Sequence, residues 1–165
     1  MIFVTVGTHE QQFNRLVKYV DELKKENVIE EDVVIQTGFS DYEPKYCKWK
    51  KLFPYQEMIK MVEKARIVIT HGGPSSFIMP LQIGKIPIVV PRQKEYEEHV
   101  NDHQVMFCEQ VKNRYGNIIV IEDITELKKS IVNYDQILQS MNNINFDNNS
   151  VFCEKFSKMV DELFK

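Results

Sequence analysis

Apolar residues fall along the chain in two alternating kinds of run. Ile2-Phe3-Val4-Thr5-Val6, Val33-Val34-Ile35-Gln36-Thr37, Ile67-Val68-Ile69-Thr70 and Ile86 to Val90 are short, rich in β-branched residues and almost continuous. Such runs fit strands covered on both faces, as in a parallel sheet. Tyr46 to Phe53 is a weaker strand candidate, with Lys48, Lys50 and Lys51 as outward residues. Between the runs, Phe13, Leu16, Val17, Val20 and Leu23 recur at helical spacing, which predicts an amphipathic helix from Gln11 to about Glu26. Pro54 suits the first turn of a helix carrying Met58, Ile59, Val62 and Ala65. A short helix is expected after His71-Gly72-Gly73-Pro74-Ser75-Ser76, ending near Ile83 with Gly84 as its cap. Glu97 to about Lys112 reads as a helix, Ile118 to Ile121 as the last strand, and Ile124 to Leu138 as a further helix.

This alternation predicts a doubly wound, Rossmann-like α/β domain over residues 1–139 with a parallel sheet. Residues 140–150 are rich in Asn and read as a linker or loop. Phe152, Phe156, Met159, Val160 and Leu163 share one face of an expected helix over 151–165, which either packs on its own domain or docks on a partner.

Ligands of such sheets bind beyond the carboxyl ends of the strands. That rule selects the loops Gly7–Gln11, Thr70–Ser76 and Pro91–His103, where the polar and glycine residues gather. Gly7-Thr8-His9-Glu10 stands between a strand and its helix, where a glycine lets backbone N–H groups approach an anion. The same residues also fit an ordinary turn, because neither a Walker A nor a Gly-x-Gly-x-x-Gly pattern is present. In the second loop, Ser75 and Ser76 can cap the next helix and offer hydroxyls to a phosphate. Two such loops at one sheet edge favour a diphosphate over either loop alone.

The third loop mixes carboxylate, amide and imidazole groups, the set that sugar hydroxyls require, although a solvated helix face would look the same. His99 and His103 are spaced to share a helix face, but no third metal ligand is implied, so no metal site is expected. No Asp-x-Asp occurs to hold a divalent cation against a diphosphate. Leaving-group charge would then fall to helix dipoles, backbone N–H groups and Arg92 or Lys94.

Composition narrows the classes further. A chain of 165 residues with formal net charge -3 fits one domain and lacks the basic face that nucleic acid requires. Cys47, Cys108 and Cys153 are odd in number and widely spaced, which predicts reduced thiols and a cytoplasmic setting. The opening apolar run has no basic flank and is too short to cross a bilayer, so any membrane contact is expected through a surface or a partner.

Four pieces in order resemble the C-terminal domain of glycosyltransferase family 28, the nucleotide-sugar half of MurG-like GT-B enzymes. They are Ile2-Phe3-Val4-Thr5-Val6-Gly7-Thr8, Thr70-His71-Gly72-Gly73-Pro74-Ser75-Ser76, Gly84 to Arg92, and His99-x-x-Asp102-His103-Gln104. Within that family the chain is similar to stand-alone catalytic subunits. These include the eukaryotic subunit that adds the second N-acetylglucosamine to a dolichol-linked sugar and, more similar in its Pro-Arg-Gln-Lys and Asp-His-Gln stretches, the bacterial capsule or exopolysaccharide galactosyltransferase subunit.

The resemblance implies an inverting, metal-independent β-1,4-galactosyltransferase subunit with no cofactor beyond its UDP-sugar substrate. Its acceptor would be a polyprenyl-diphosphate-linked sugar. Its partner would be a membrane-anchored, acceptor-binding subunit holding it peripherally at the inner face of the membrane. Gly7, Thr8, His71, Gly72, Gly73, Ser75 and Ser76 would lie at the diphosphate. Arg92, Glu98, His99, Asp102, His103 and Gln104 would face the ribose or the transferred sugar. His9 and Glu10 are the in-chain candidates for the base. Met79 stands where the family places a ribose-binding glutamate. A non-catalytic nucleotide-sugar-binding subunit, a UDP-N-acetylglucosamine transferase subunit and a sugar-nucleotide hydrolase or epimerase are the rival readings.

Overall fold

Each inner strand has side chains that must be covered on both sides, and the helices supply that cover. A computed structural model of the protein describes residues 1–141. The Asn-rich segment from residue 142 onward and the helix expected over 151–165 lie outside the described residues. The elements run β1 (Ile2–Thr5), α1 (Asn14–Lys25), β2 (Val33–Gln36), β3 (Lys48–Lys50), α2 (Tyr55–Lys64), β4 (Ile67–His71) and α3 (Pro74–Gln82). They continue with β5 (Ile88–Val90), a 3-10 turn (Lys94–Tyr96), α4 (His103–Tyr115), β6 (Ile119–Val120), α5 (Glu126–Val132) and α6 (Tyr134–Ser140).

The six strands form one parallel sheet in the order β3-β2-β1-β4-β5-β6. Alternation along the strands sorts the core into two sides. Ile2, Val4, Ile67, Ile69, Ile88 and Val90 meet Leu16, Val17 and Val20 of α1 and Leu127 and Ile131 of α5. Phe3 and Val68 point the other way and meet Val62 and Ala65 around α2, while Val89 packs with Phe77 of α3 and Cys108 of α4. This is the expected doubly wound α/β fold.

Five elements differ from the expectation, and in several of them side chains take backbone groups that a regular element would use. The helix expected from Gln11 begins only at Asn14. Pro54 stands just before α2 as its N-cap residue, not within its first turn. Strand β3 shrinks to Lys48–Lys50 because the N–H groups of Tyr46 and Cys47 donate to the Asp21 carboxylate and that of Phe53 to Gln36 Oε1. The helix expected over Ile124–Leu138 breaks at Asn133, and Tyr134 then buries its ring and donates its hydroxyl to Ile86 O at 2.6 Å.

The largest difference concerns residues 97–102. The expected helix from Glu97 starts only at His103, and Glu97 takes a left-handed conformation, φ 56°. The backbone there is captured by side chains. Glu98 accepts from Gln93 N, Asp102 from Lys94 N, and Asn101 from His103 N. His99 and His103 therefore do not share a helix face, which removes the spacing argument for a metal pair.

Candidate functional site

In this strand order, β1 and β4 are neighbours whose following helices pack on opposite sides of the sheet, which opens a crevice at their carboxyl ends. Gly7 and His71 meet there. Gly7 has φ +76°, and a Cβ on it would lie 2.3 Å from His71 Nε2. A Cβ on Gly73 would lie 2.2 Å from His71 Cε1. Both glycines are required because the imidazole fills the space between the loops.

His71 is the closing residue of β4 and is buried. Its Nδ1 accepts from Gly73 N at 3.0 Å, which assigns the ring proton to Nε2. Nε2 then donates to Ser76 Oγ at 2.8 Å. Burial first, and the Arg92 charge next, lower the His71 pKa to about 4, so the ring is neutral near pH 7. The consequence is chemical: the Ser76 oxygen accepts from His71 and its own proton remains free to donate into the crevice.

Gln104 joins the second and third loops. Its Oε1 accepts from Gly72 N at 3.0 Å and from Arg92 N at 3.1 Å. The N–H groups of Gly72 and Gly73 are thus taken by side chains of the protein itself. What the glycine loop offers an anion is the hydroxyls of Ser75 and Ser76 and the N-terminus of α3, where Pro74 holds the first position. Gly73, not Ser75 or Ser76, is the N-cap residue, and no side chain caps this helix.

Arg92 and Glu98 do not face a ligand, contrary to expectation, because neither has any exposed surface. The Arg92 guanidinium donates to Gln11 O at 2.9 Å, Gln12 O at 3.0 Å, Glu98 O at 3.1 Å and Val6 O at 2.8 Å. Burial lowers its pKa to about 10, with Glu98 opposing, and the group stays charged at pH 7. The Glu98 carboxylate accepts from Arg15 Nε and Nη2, both at 2.9 Å, and from Gln93 N. Together these charges fix the first loop and the third loop against each other. Arg15 escaped the sequence reading because a charged residue on an amphipathic helix looks like a solvated one.

Of the remaining predicted residues, Thr8, His9 and Glu10 stand on the first loop and His99, Asp102 and His103 on or just after the third. Thr8 and Glu10 are exposed, and His9 is half-buried. The His9 ring packs edge-on against His99, centroids 4.8 Å apart. Burial, Arg92 and His99 lower the His9 pKa against the opposing pull of Glu10, which keeps its lone pair available at pH 7. Asp102 and His103 are exposed at the start of α4. Met79 is half-buried and packs with Phe3 and Val68, on the core side of α3.

A groove of about 390 Å³ runs beside the crevice, lined by Gly72, Pro74, His103, Gln104, Met106 and Phe107. Met106 and Phe107 were not anticipated, although their apolar side chains stand exposed on α4. A second groove of about 390 Å³ lies between α5 and α6 around Lys129 and Gln136. Among the described residues, no three His, Cys, Asp or Glu gather as metal ligands.

The fold is the Rossmann-like α/β fold found in GT-B glycosyltransferases, and the sequence agrees on the family. The chain belongs to the glycosyltransferase family 28 C-terminal domain family, which it matches over residues 1–163. The crystal structure of the glycotransferase of kitacinnamycin is similar, with TM-score 0.59 and 18% identity over 79% of this chain and 34% of that one. The glycosyltransferase SnogD from Streptomyces nogalater is similar with TM-score 0.50 and 18% identity over 73% of this chain and 30% of that one. The chain thus spans about a third of the length of these structures. No curated protein sequence matches it.

Proposed function

We propose that the protein is the donor-binding, catalytic subunit of an inverting glycosyltransferase. It moves a sugar from a UDP-sugar to a polyprenyl-diphosphate-linked sugar acceptor. The observation that carries this reading is the His71–Ser76 hydrogen bond, which leaves a serine proton at the N-terminus of α3 free for a diphosphate. The family and the GT-B-like fold support the transferase class.

Transfer is a single displacement in this reading. A base removes the proton of the acceptor hydroxyl, the oxygen attacks the anomeric carbon, and the bond to the UDP oxygen breaks. His9, neutral and half-buried at the crevice, is the in-chain base, and Glu10 beside it is the alternative. Negative charge on departing UDP is met by the α3 dipole and the Ser75 and Ser76 hydroxyls. No divalent cation takes part, in line with the missing Asp-x-Asp. Arg92 and Glu98 keep the two loops in register and do not touch substrate. The groove beside Met106 and Phe107 receives the apolar face of the base or the sugar.

Galactose as the donor sugar, and capsule or exopolysaccharide as the pathway, rest on the resemblance of the Pro-Arg-Gln-Lys and Asp-His-Gln stretches to bacterial subunits. A separate acceptor-binding partner with a membrane anchor rests on the same resemblance. Among the described residues no helix is long and apolar enough to cross a membrane.

The test is a binding screen of UDP-galactose, UDP-glucose, UDP-N-acetylglucosamine and GDP-mannose, followed by transfer assays with the partner. A UDP-sugar should bind, and the His9→Ala variant should bind it while losing transfer. If none of the four binds, the reading fails. If UDP is released without acceptor at the transfer rate, a hydrolase replaces it.

A further inference from the structure

A diphosphate entering the crevice would bring two negative charges, and the cations nearest to it are spent elsewhere. The Arg92 guanidinium is turned into the carbonyls of Val6, Gln11, Gln12 and Glu98. The N–H groups of Gly72 and Gly73 go to Gln104 and His71. Lys94 lies on the 3-10 turn with its side chain in solvent. The remaining basic groups at the crevice are two imidazoles that touch each other.

His9 stands on the first loop and His99 on the third, both half-buried. Their rings meet edge to face, with centroids 4.8 Å apart and planes at 83°. The contact spans the same seam that Arg92 closes with its bonds to Gln11 O and Glu98 O, 2.9 and 3.1 Å. Arg92 has no exposed surface, so the two histidines are the part of this seam that meets solvent. A Cβ on Gly7, two residues before His9, would touch His71 Nε2, the atom that bonds Ser76 Oγ. The pair therefore stands near the hydroxyl offered to a diphosphate. An apolar pair would seal the seam without setting two basic rings beside a buried cation.

The surrounding charges decide how many protons the pair can hold. Burial, then Arg92 and His99, keep a proton off His9, and Glu10 on the first loop pulls the other way. From β4, His71 is neutral, with its pKa lowered to about 4 by burial first. On the third loop, Glu98 is committed to Arg15 and Gln93 N, and Asp102 accepts from Lys94 N. Asn101 N approaches His99 Nδ1 at 3.4 Å, and α4 begins with the exposed His103. Two like charges at this separation repel, so one proton on the pair excludes a second.

We propose that the His9–His99 pair takes up one shared proton when an anionic diphosphate ligand enters the crevice, so that ligand binding is proton-coupled at this site. The inference rests on the donor reading and deepens it by naming the groups that answer the diphosphate charge. The proton comes from the solvent and stays on an imidazole nitrogen, and no bond of the ligand breaks. The second ring stays neutral, which preserves a base for the acceptor hydroxyl.

The test is calorimetric titration of the full chain with UDP-galactose, UDP-glucose, UDP-N-acetylglucosamine and GDP-mannose from pH 8 to pH 6, in buffers of different ionisation heat. The diphosphates of these sugars are fully ionised throughout, so any proton taken up belongs to the protein. Uptake should approach one proton per ligand without exceeding it. Binding should tighten about tenfold from pH 8 to pH 6, the change that a rise of about one pKa unit in the complex produces. The His9→Gln/His99→Gln variant should bind with no uptake and with an affinity that does not change with pH. Histidine ring carbon shifts, followed by NMR in the wild-type protein and so independent of any variant's folding, should move toward imidazolium at His9 or His99. Binding without proton uptake overturns the inference and leaves the donor reading intact. Uptake that persists in the double variant, or imidazolium shifts at His71 or His103 alone, also overturns it. Binding of none of the four sugars at any pH overturns both.

Discussion

The two ends of one sheet handle charge in opposite ways. At the amino ends of the strands, Glu31 pairs with Arg66 and the Met1 ammonium, and Arg66 reaches Asp135, all partly in solvent. Lys24 and Lys85 cap loose carbonyls there, with Lys85 Nζ at 2.8 Å from Val62 O and 2.6 Å from Ala65 O. At the carboxyl ends, Arg92 and Glu98 are fully buried and His71 nearly so. Their charges and protons are spent on holding three loops, and the groups left for a visitor are neutral hydroxyls, an imidazole and a helix terminus. A surface ion pair tolerates loss, whereas a buried one sets loop positions and does not.

The widest gap should appear on removing one arginine from each end. Arg92→Met leaves the carbonyls of Val6, Gln11 and Gln12 without their donor and should cost about 3–5 kcal/mol in urea unfolding. Arg66→Met should cost no more than about 1 kcal/mol. Equal losses would dissolve the distinction between the two ends.

The ends should also separate in pH. His71 in the native protein titrates at about 4, below its ordinary 6.5, so between those values the unfolded chain takes a proton that the native state refuses. Stability must therefore fall as pH drops from about 6.5 to 4, by about 3 kcal/mol in total. His9, also lowered, adds to the same side. At the other end, burial would raise the Glu31 pKa, but hydrogen bonds from Arg66 and the Met1 ammonium outweigh it and hold it below 4.5. Its contribution is present above that value and lost only at lower pH. Unfolding curves across pH should show the upper window shrink in His71→Gln and persist in Arg66→Met.

Glycines sharpen the comparison by sterics alone. Gly73→Ala drives a methyl into the His71 ring and should cost about 1–3 kcal/mol and at least about tenfold in UDP-sugar affinity. Gly84→Ala meets nothing within 4 Å and should cost about 1 kcal/mol for its φ of +75°, with affinity unchanged. The smallest effect is expected from Ser76→Ala. It should leave unfolding within about 1 kcal/mol of wild type and weaken UDP-sugar binding about five- to tenfold by calorimetry.

The strands and their order of covering were legible because β-branched runs such as Ile67-Val68-Ile69 admit few other structures. The three loops followed from the rule for open sheets, and Gly7, Gly73, His71 and Ser76 do meet. What was hidden depends on side chains choosing backbone partners across the fold. Glu98 lies in a run whose composition reads as helix, yet Gln93 N and Arg15 claim its carboxylate and hold it in a turn. Arg92 carries the charge expected of a phosphate ligand, yet four carbonyls more than ten residues away in most cases consume it. Asp21 shows the same effect on a smaller scale, since its carboxylate takes the N–H groups that would have lengthened β3. Spacing records periodicity, not such bargains between distant segments.

The central claim is that the carboxyl end of this sheet receives a nucleotide sugar. Amide chemical-shift mapping during titration with UDP-galactose tests it most directly. The account predicts saturable shifts at Gly7 to Glu10, at Gly72 to Phe77 and at the start of α4, with Glu31 and Arg66 unmoved. Shifts confined to the groove between α5 and α6, or no shifts at all, would contradict it.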